Sequence, residues 1–160
     1  MKHFPCLIIL PLLALLLAAC ETKTSSTPLL QASTKVFRTN AAGVRDTINY
    51  TDTLCVGDTA RMSIALNGYL NTLTYFTAST DTSALDLAIE VLPEQMDVLA
   101  TGTDLDGCKL VFVSDMIIAY TLKLRYVPRK AGTPRIDMIL GSNAGEEYSP
   151  QRYYFSTQVK

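Results

Sequence analysis

Apolar residues alternate with polar or small residues along much of the chain, and this alternation constrains the fold more than any other feature. The pattern is clearest in residues 61–66, 85–91, 118–126 and 153–159. Successive side chains of a β-strand point to opposite faces, so a period of two predicts strands with one apolar face. No segment sustains the 3.6-residue period of a helix. The chain is therefore predicted to form antiparallel sheets.

Short turn signals between these strands favour a single β-sandwich, so the predicted fold class is all-β. The Asp-Gly pair at 106–107 favours a hairpin, and the alternative is an incidental calcium ion in that loop. The segments 72–76 and 110–113 are apolar at successive positions and are predicted to be central strands. The one helix candidate is a turn at 93–96.

The first 19 residues are predicted to be a signal peptide. A positive start at Lys2 precedes an apolar run of 16 residues, 4–19, which is shorter than the about 20 that a membrane-spanning helix needs. The run ends in LAAC, residues 17–20, which resembles the lipobox of bacterial lipoproteins of the Bacteroidota type. The resemblance implies cleavage before Cys20 and acylation of that residue. The alternative is an ordinary leader with a chance cysteine.

The lipoprotein resemblance also implies a location. In that family, Asp directly after the lipidated cysteine tends to retain the protein in the inner membrane, and this chain has Glu21 there. Surface export of Bacteroidota lipoproteins is associated with a run of acidic residues, whereas residues 21–25 contain one acid and one base. We expect an outer-membrane anchor with the domain facing the periplasm rather than the cell surface.

Composition divides the mature chain into a tether and one domain. Residues 20–35 are rich in Ser and Thr and are predicted to be a lipidated flexible tether, and residues 36–160 the sandwich domain. About 15 flexible residues span roughly 20 Å.

The mature chain is predicted to be slightly acidic. Removal of the signal peptide takes Lys2 from the 14 Lys and Arg residues, which leaves 13 against 15 Asp and Glu and a net charge of −2. Nucleic acid is not an expected partner, because that needs a basic surface.

Two segments resemble bacterial Ig-like domains. Residues 56–58, Val-Gly-Asp, precede an alternating strand as at the start of strand B in that family. Residues 124–143 follow an aromatic-x-Pro-x-x-x-Gly pattern and then alternate up to Ser-Asn, as in the closing hairpin of Ig-like modules, including the ASH/Hydin type. Pro128 would end one strand because it cannot donate to the ladder, and Gly132 would supply the turn. The resemblance implies a fold and names no ligand.

The mature protein is predicted to contain no histidine, because His3, the single histidine of the sequence, lies in the predicted signal peptide. A Ser-His-Asp or Cys-His site and a His-bound zinc site are excluded in the mature protein. Glu146 and Glu147 are a carboxylate pair, but adjacent strand residues point to opposite faces. We therefore expect no catalytic residues, no metal and no cofactor, with a hydrolase kept as a minor alternative.

Three kinds of site remain as hypotheses. Tyrosines beside an arginine could form a surface for stacking on sugars, although tyrosine also suits strands for local reasons; the residues are Tyr148, Arg152, Tyr153 and Tyr154. Cys55 and Cys108 remain once Cys6 is removed and Cys20 acylated. An oxidising envelope favours a disulfide between them, and the alternative is two buried thiols.

The third hypothesis concerns Asp-Thr pairs that recur every six residues, with threonines at Thr47, Thr53 and Thr59. Each pair with its following aliphatic residue resembles the O-glycosylation acceptor of exported Bacteroidota proteins. The even spacing would place the three threonines on one face of an extended chain. The alternative is turn chemistry, in which Asp and Thr side chains bind nearby backbone.

Two functions from different classes follow from these observations. The first is a non-catalytic, lipid-anchored envelope protein whose Ig-like domain contacts another protein or serves as an accessory subunit. The second is a lipid-anchored carbohydrate-binding module. A glycan array and the exposure of the tyrosines would discriminate between them.

Replacing Cys20 with alanine should release the protein from the membrane fraction, because the acyl chains attach to this residue and each buried CH₂ contributes about 0.8 kcal/mol to anchoring. Carbonate-washed membranes from cells producing each variant give the measurement. Cys6→Ala is the matched control, since Cys6 leaves with the leader, and it should stay in membranes. If Cys20→Ala also stays there, the lipid anchor is wrong.

Overall fold

The computed structural model of the protein describes residues 26–113 and 116–160. Within these ranges the chain forms nine β-strands and one 3-10 helix. The strands are β1 (Leu29–Thr39), β2 (Arg45–Asn49), β3 (Thr59–Asn67), β4 (Leu73–Thr80), β5 (Leu85–Glu90), β6 (Lys109–Val111), β7 (Ala119–Pro128), β8 (Arg135–Ser142) and β9 (Gln151–Ser156), and the 3-10 helix is Pro93–Val98. In this part of the chain, no helix has the length and apolar character to cross a membrane.

The strands form two antiparallel sheets. One has five strands in the order β2-β1-β3-β7-β5, and the other has four in the order β6-β4-β8-β9. The all-β sandwich predicted from the sequence is confirmed. The orders β1-β3-β7-β5 and β4-β8-β9 match the A-B-E-D and C-F-G sheets of an Ig constant-type sandwich, with β2 and β6 added at the edges.

Strands β3 and β7 form the middle of the five-stranded sheet, and their alternating apolar residues are buried on one face, as predicted. Met62 pairs with Leu124 and Ile64 pairs with Leu122, and all four side chains are buried. The intervening residue Ser63 lies on the other face. One-sided burial of this kind fixes strand register, because a slip of one residue would turn every apolar side chain outward.

The four-stranded sheet supplies the other half of the core through Phe76 in β4 and the alternating buried residues of β8. Aromatic rings join the two sheets. Tyr126 in β7 meets Phe155 in β9 edge to face, with ring centroids 5.8 Å apart. This geometry is favourable for aromatic pairs. Burial also raises the pKa of the Tyr126 hydroxyl.

The predicted boundary between tether and domain is wrong. The sheet begins at Leu29, inside the segment 20–35 that was predicted to be flexible. Leu30 is buried, and it pairs with Leu66 of β3. A register irregularity between Ala32 and Val36 interrupts the alternation in β1, which is why the sequence pattern did not indicate a strand there.

Two further local predictions have different outcomes. The turn predicted at 93–96 is part of the 3-10 helix, so that prediction is confirmed. The segment 110–113 was predicted to be a central strand, but β6 is a three-residue edge strand that pairs with β4 alone among the named strands. Within this segment Leu110 and Phe112 are buried in the core, whereas Val113 is exposed.

The turn glycines and the Asp-Gly hairpin lie at the positions predicted from the sequence. Gly57 and Gly132 have φ angles of 87° and 139°, which non-glycine residues adopt rarely. The backbones of Asp104 and Lys109 exchange two hydrogen bonds of 2.8 and 2.7 Å, closing the predicted hairpin. Gly107 donates its backbone N–H to the Asp104 carboxylate at 2.8 Å. Both Asp-Gly and Gly132 therefore act through turn geometry.

Truncating Ile64 to alanine should lower the free energy of unfolding by about 2–5 kcal/mol, because it leaves a cavity between the sheets. Ala65→Ser is the matched control on the exposed face of the same strand and should change stability by less than about 0.5 kcal/mol. Urea unfolding of both variants gives the measurement. Equal effects of the two substitutions would contradict the assignment of faces in β3.

Candidate functional site

A row of side chains crosses the outer face of the five-stranded sheet. Phe37 of β1 pairs with Arg61 of β3, and Arg61 pairs with Arg125 of β7. Directly paired residues on one face have Cβ atoms about 4.5–5.5 Å apart. Phe37 is 56% exposed although it is a large apolar residue. The row therefore places an exposed aromatic ring beside two guanidinium groups.

Glu90 of β5 lies between the two arginines. Arg61 Nε donates to both carboxylate oxygens, at 3.1 and 2.9 Å, and Arg125 Nε lies 3.5 Å from Glu90 Oε1. All three side chains are about one-third exposed. Ion pairs at this exposure contribute little to stability, typically about 0–1 kcal/mol. Their main effect is to hold the guanidinium groups in a fixed arrangement on the sheet.

The outer face has the opposite charge balance from the whole mature chain. We define the basic face by six residues whose side chains lie on this surface: Lys35, Phe37, Arg61, Glu90, Lys123 and Arg125. It carries four cationic groups and one carboxylate, a net charge of +3, whereas the mature chain predicted from the sequence has −2. The basic face is thus a local surface suited to an acidic partner.

A shallow groove of about 230 Å³ borders this face where β5 leads into the 3-10 helix. Gln95 fixes the helix on the sheet, since its side-chain amide donates to the Thr121 carbonyl at 3.1 Å and its side-chain oxygen accepts from Leu92 N–H at 3.1 Å. Lys123 and the exposed Leu92 line the groove. The groove offers apolar and cationic contacts next to each other.

Sequence reasoning missed the basic face. In the sequence, Arg61 and Arg125 are simply polar residues of the alternating segments 61–66 and 118–126. The signal was present, because each arginine precedes or follows a core residue and so must point outward. Strand pairing was needed to bring Phe37, 24 positions before Arg61, into the same row.

The tyrosine–arginine cluster predicted near the C-terminus does not form one surface. Tyr153 faces inward, and its hydroxyl donates to the Pro28 carbonyl at 2.7 Å. Tyr148 lies half-buried in the loop before β9. Adjacent residues of a strand point to opposite faces, which is why Tyr153 and Tyr154 separate. The prediction of a four-residue ligand surface is wrong.

Arg152 and Tyr154 do share the outer face of the four-stranded sheet. Tyr154 is 67% exposed, and the guanidinium of Arg135 lies 4.2 Å from its ring centroid, in a cation–π contact. On the same sheet Tyr75 passes so close to Gly141 that a Cβ there would lie 2.3 Å from the ring. Arg135, Arg152 and Tyr154 make a smaller polar and aromatic patch, and Tyr75 lies two strands away, opposite Gly141.

The aspartates of the Asp-Thr repeat have structural roles. Arg38 forms an ion pair with Asp46 and lies 3.8 Å from the buried Asp58. The hydrogen bond from Arg38 holds the pKa of Asp46 below its ordinary value. Asp58 also accepts the Cys55 backbone N–H at 2.9 Å, and Asp52 accepts that of Asn49 at 2.8 Å. The backbone bonds of Asp52 and Asp58 fit the turn-chemistry alternative, whereas Asp46 forms a cross-strand ion pair between β1 and β2.

The three threonines of the repeat do not share one face of an extended segment. Thr47 is exposed in β2, Thr53 is exposed in the following loop, and Thr59 is half-buried at the start of β3. The chain turns twice between β2 and β3, so the stretch is not extended as that expectation required, although Thr47 opposite Phe37 and Thr59 opposite Thr39 both lie on the outer face of the sheet. Glycosylation of these threonines stays a prediction.

Cys55 and Cys108 are free thiols in the structure, so the predicted disulfide is contradicted. Cys55 is exposed in the turn before β3, and Gly57 of that turn donates its N–H to the Pro128 carbonyl at the end of β7, in the five-stranded sheet. Cys108 is buried directly before β6, which is an edge strand of the four-stranded sheet. Burial raises the pKa of Cys108 to about 11. A position beside a turn is therefore not sufficient to predict that two cysteines lie close together.

Other predicted features fall outside what the structure tests. Cys20 and the signal peptide lie outside the described residues. Within residues 26–113 and 116–160, no three His, Cys, Asp or Glu side chains are grouped so as to hold a metal ion.

Comparison with known proteins adds little to this description. No protein-family model and no curated protein matches the chain. Among solved structures, it is similar to the PmoD soluble domain from Methylocystis sp. ATCC 49242 (Rockwell), with a TM-score of 0.36, 15% identity and coverage of 78% of this chain and 89% of that one.

A second similar structure is a family 123 glycoside hydrolase from Clostridium perfringens. Its TM-score is 0.41 and its identity 12%, over 84% of this chain and 27% of that chain. Likenesses this distant indicate no function for this chain.

Thiol chemistry should distinguish the two cysteines. At pH 8 the exposed Cys55 should react with an aromatic disulfide reagent, whereas Cys108, with its pKa raised to about 11 by burial, stays protonated and shielded. The lipidated protein should therefore show one reactive thiol when folded and two in denaturant. An absence of reactive thiols in unreduced, denatured protein would restore the disulfide.

Proposed function

We propose that this protein is a lipid-anchored component of the bacterial cell envelope whose Ig-like sandwich binds another protein and catalyses no reaction. Cys20 would carry the anchor, with the domain facing the periplasm from the outer membrane. The observation that supports protein binding most strongly is the basic face, where exposed Phe37 lies in one row with Arg61 and Arg125. Aromatic residues and arginines are enriched where protein interfaces gain most of their energy.

The shape of this surface also favours a protein over a small ligand. The basic face lies on a sheet with a shallow groove at one side, whereas small-molecule sites are usually concave and bury most of the ligand. Its net positive charge would attract an acidic surface and raise the rate of association. The partner is thus expected to present carboxylates opposite Arg61 and Arg125 and an apolar contact for Phe37.

A photo-crosslinking amino acid at position 37 tests this proposal in cells that carry the native partner. The expected result is a protease-sensitive adduct from position 37, and none from the control position 154 on the opposite sheet. Arg61→Glu combined with Arg125→Glu should reduce the adduct at least tenfold, because two attractive contacts become repulsive. The control Arg152→Glu should leave it unchanged.

Two outcomes would contradict the proposal. One is an adduct that forms at position 154 and not at 37. The other is an adduct at 37 that survives the double charge reversal, since the arginines would then have no part in binding.

A carbohydrate-binding module is the second candidate function, and Arg152 and Tyr154 favour it. They lie together on the outer face of the four-stranded sheet, and aromatic faces with arginine donors suit sugars. Arg135 already contacts one face of the Tyr154 ring, which leaves the other for stacking. Binding on a glycan array that is lost in Tyr154→Ala and kept in Phe37→Ala would favour this function over protein binding.

A further inference from the structure

The N-terminal segment is fixed to one end of the sandwich. Asn71, in the turn between β3 and β4, donates its side-chain amide to the backbone carbonyl and hydroxyl of Ser26, at 3.0 and 2.9 Å. The buried Pro28 accepts the Tyr153 hydroxyl at 2.7 Å. Since β1 starts directly afterwards, the chain enters the domain at the end where β3 finishes. We call this end of the sandwich the tether end.

Two loops meet at the tether end. The β3–β4 turn, residues 68–72, and the residues before β7, 116–118, are joined by backbone hydrogen bonds. Gly68 N–H donates to the Ile118 carbonyl at 2.7 Å, and Leu73 N–H donates to the Ile117 carbonyl at 2.6 Å. A Cβ on Gly68 would lie 2.1 Å from the Asn71 carbonyl oxygen, so the turn requires glycine there.

These loops expose large apolar side chains. Leu70 is 74% exposed and Met116 is 83% exposed, and Tyr69 and Ile118 are also exposed next to them. Turn tips in soluble domains are usually polar, and exposed apolar clusters mark contact surfaces. Tyr69 moreover has a φ of 57°, a conformation that is uncommon for a bulky residue and is retained where the surroundings or a function require it.

The two loops that carry these apolar side chains, and the N-terminal segment beside them, are uncharged. Residues 26–29, 67–73 and 116–119 contain no Lys, Arg, Asp or Glu, and the first charged residue before the second loop is Asp115. At the opposite end the exposed Val44 lies near Arg38 and Asp46, which form an ion pair. An uncharged apolar tip beside the attachment point suits the boundary between lipid headgroups and acyl chains, where tyrosine is also enriched.

The length of the tether limits where this end can be. Six residue steps separate Cys20 from Ser26, and a fully extended chain spans at most about 3.3–3.6 Å per residue, so Ser26 lies within about 20 Å of the acylated residue. We infer that the tether end is a membrane-seating surface, in which Leu70, Tyr69, Met116 and Ile118 insert into the bilayer interface next to the lipid anchor. This inference rests on the proposed lipidation of Cys20.

The charges around the tip predict how its binding to a membrane depends on the lipid headgroups. Asn143 accepts the Thr72 N–H at 2.8 Å and so brings the loop after β8 to the same end. That loop carries the exposed Glu146 and Glu147. Carboxylates near the surface are repelled by anionic headgroups, so seating should be driven by the apolar tip and should be no stronger on anionic than on neutral vesicles.

Tryptophan fluorescence tests the inference, because the chain contains no tryptophan. Leu70→Trp places one emitter at the tip, and Val44→Trp places one at an exposed aliphatic position of the opposite end. Each full-length protein, purified from membranes, is reconstituted into phosphatidylcholine vesicles, with or without bromines on the acyl chains close to the headgroup. Flotation of the vesicles first establishes that the protein is anchored.

The expected result is that both variants float, and that brominated lipid quenches Leu70→Trp several-fold more than Val44→Trp, with a blue-shifted emission. Adding anionic lipid should not increase this difference. If both variants float and neither is quenched, the seating surface is wrong and the lipid anchor stands. If neither floats, both proposals are wrong. Emission of Leu70→Trp that shifts with protein concentration and ignores bromine would instead assign the tip to contact between two copies, and would overturn the inference.

Discussion

Strand β3 pairs with β1 on one side and β7 on the other, and the rest of the sandwich depends on its register. Met62, Ile64 and Leu66 are buried between the sheets, and each is paired with a buried residue of β7. A slip of one residue would expose all three and bury their polar neighbours. At about 1.5–3 kcal/mol for each large apolar side chain, such a slip costs most of the stability of a small domain.

Both proposed surfaces follow from this register. The residues of β3 that alternate with the core face outward, so Arg61 lies opposite Phe37 and Arg125 and creates the basic face. The same pairing puts Leu29 opposite Asn67, which delivers the N-terminal segment to the end where β3 finishes. The protein would thus present its apolar tip to lipid and its basic face sideways, away from the tether.

Sequence pattern was enough to predict the sandwich, because one-sided burial leaves a period of two that can be read directly from β3, β5, β7 and β9. The pattern did not predict where the domain begins, because the irregularity between Ala32 and Val36 breaks the period of two in β1. It also could not place residues from distant segments. Tyr153 and Tyr154 are neighbours in sequence and lie on opposite faces, whereas Phe37 and Arg125 are far apart and lie in one row.

The same limit applies to pairs of residues chosen by type. Cys55 and Cys108 both lie beside turns, but the turn at Cys55 leads into β3 of the five-stranded sheet, whereas Cys108 precedes β6 at an edge of the four-stranded sheet. The aspartates of the Asp-Thr repeat bind backbone and Arg38, which local sequence could suggest but not prove. Side-chain roles that depend on which strands are neighbours require the topology.

Methyl nuclear Overhauser effects in isotope-labelled protein test the register of β3 most directly. We expect strong effects between Ile64 and Leu122 and between Met62 and Leu124, because paired side chains on one face have Cβ atoms about 4.5–5.5 Å apart. We also expect the side-chain protons of Arg61 and Arg125 to give mutual effects and none to Phe76 in the core. Effects that instead connect Ile64 to Thr121 or Lys123 would show a register shifted by one residue and would contradict both proposed surfaces.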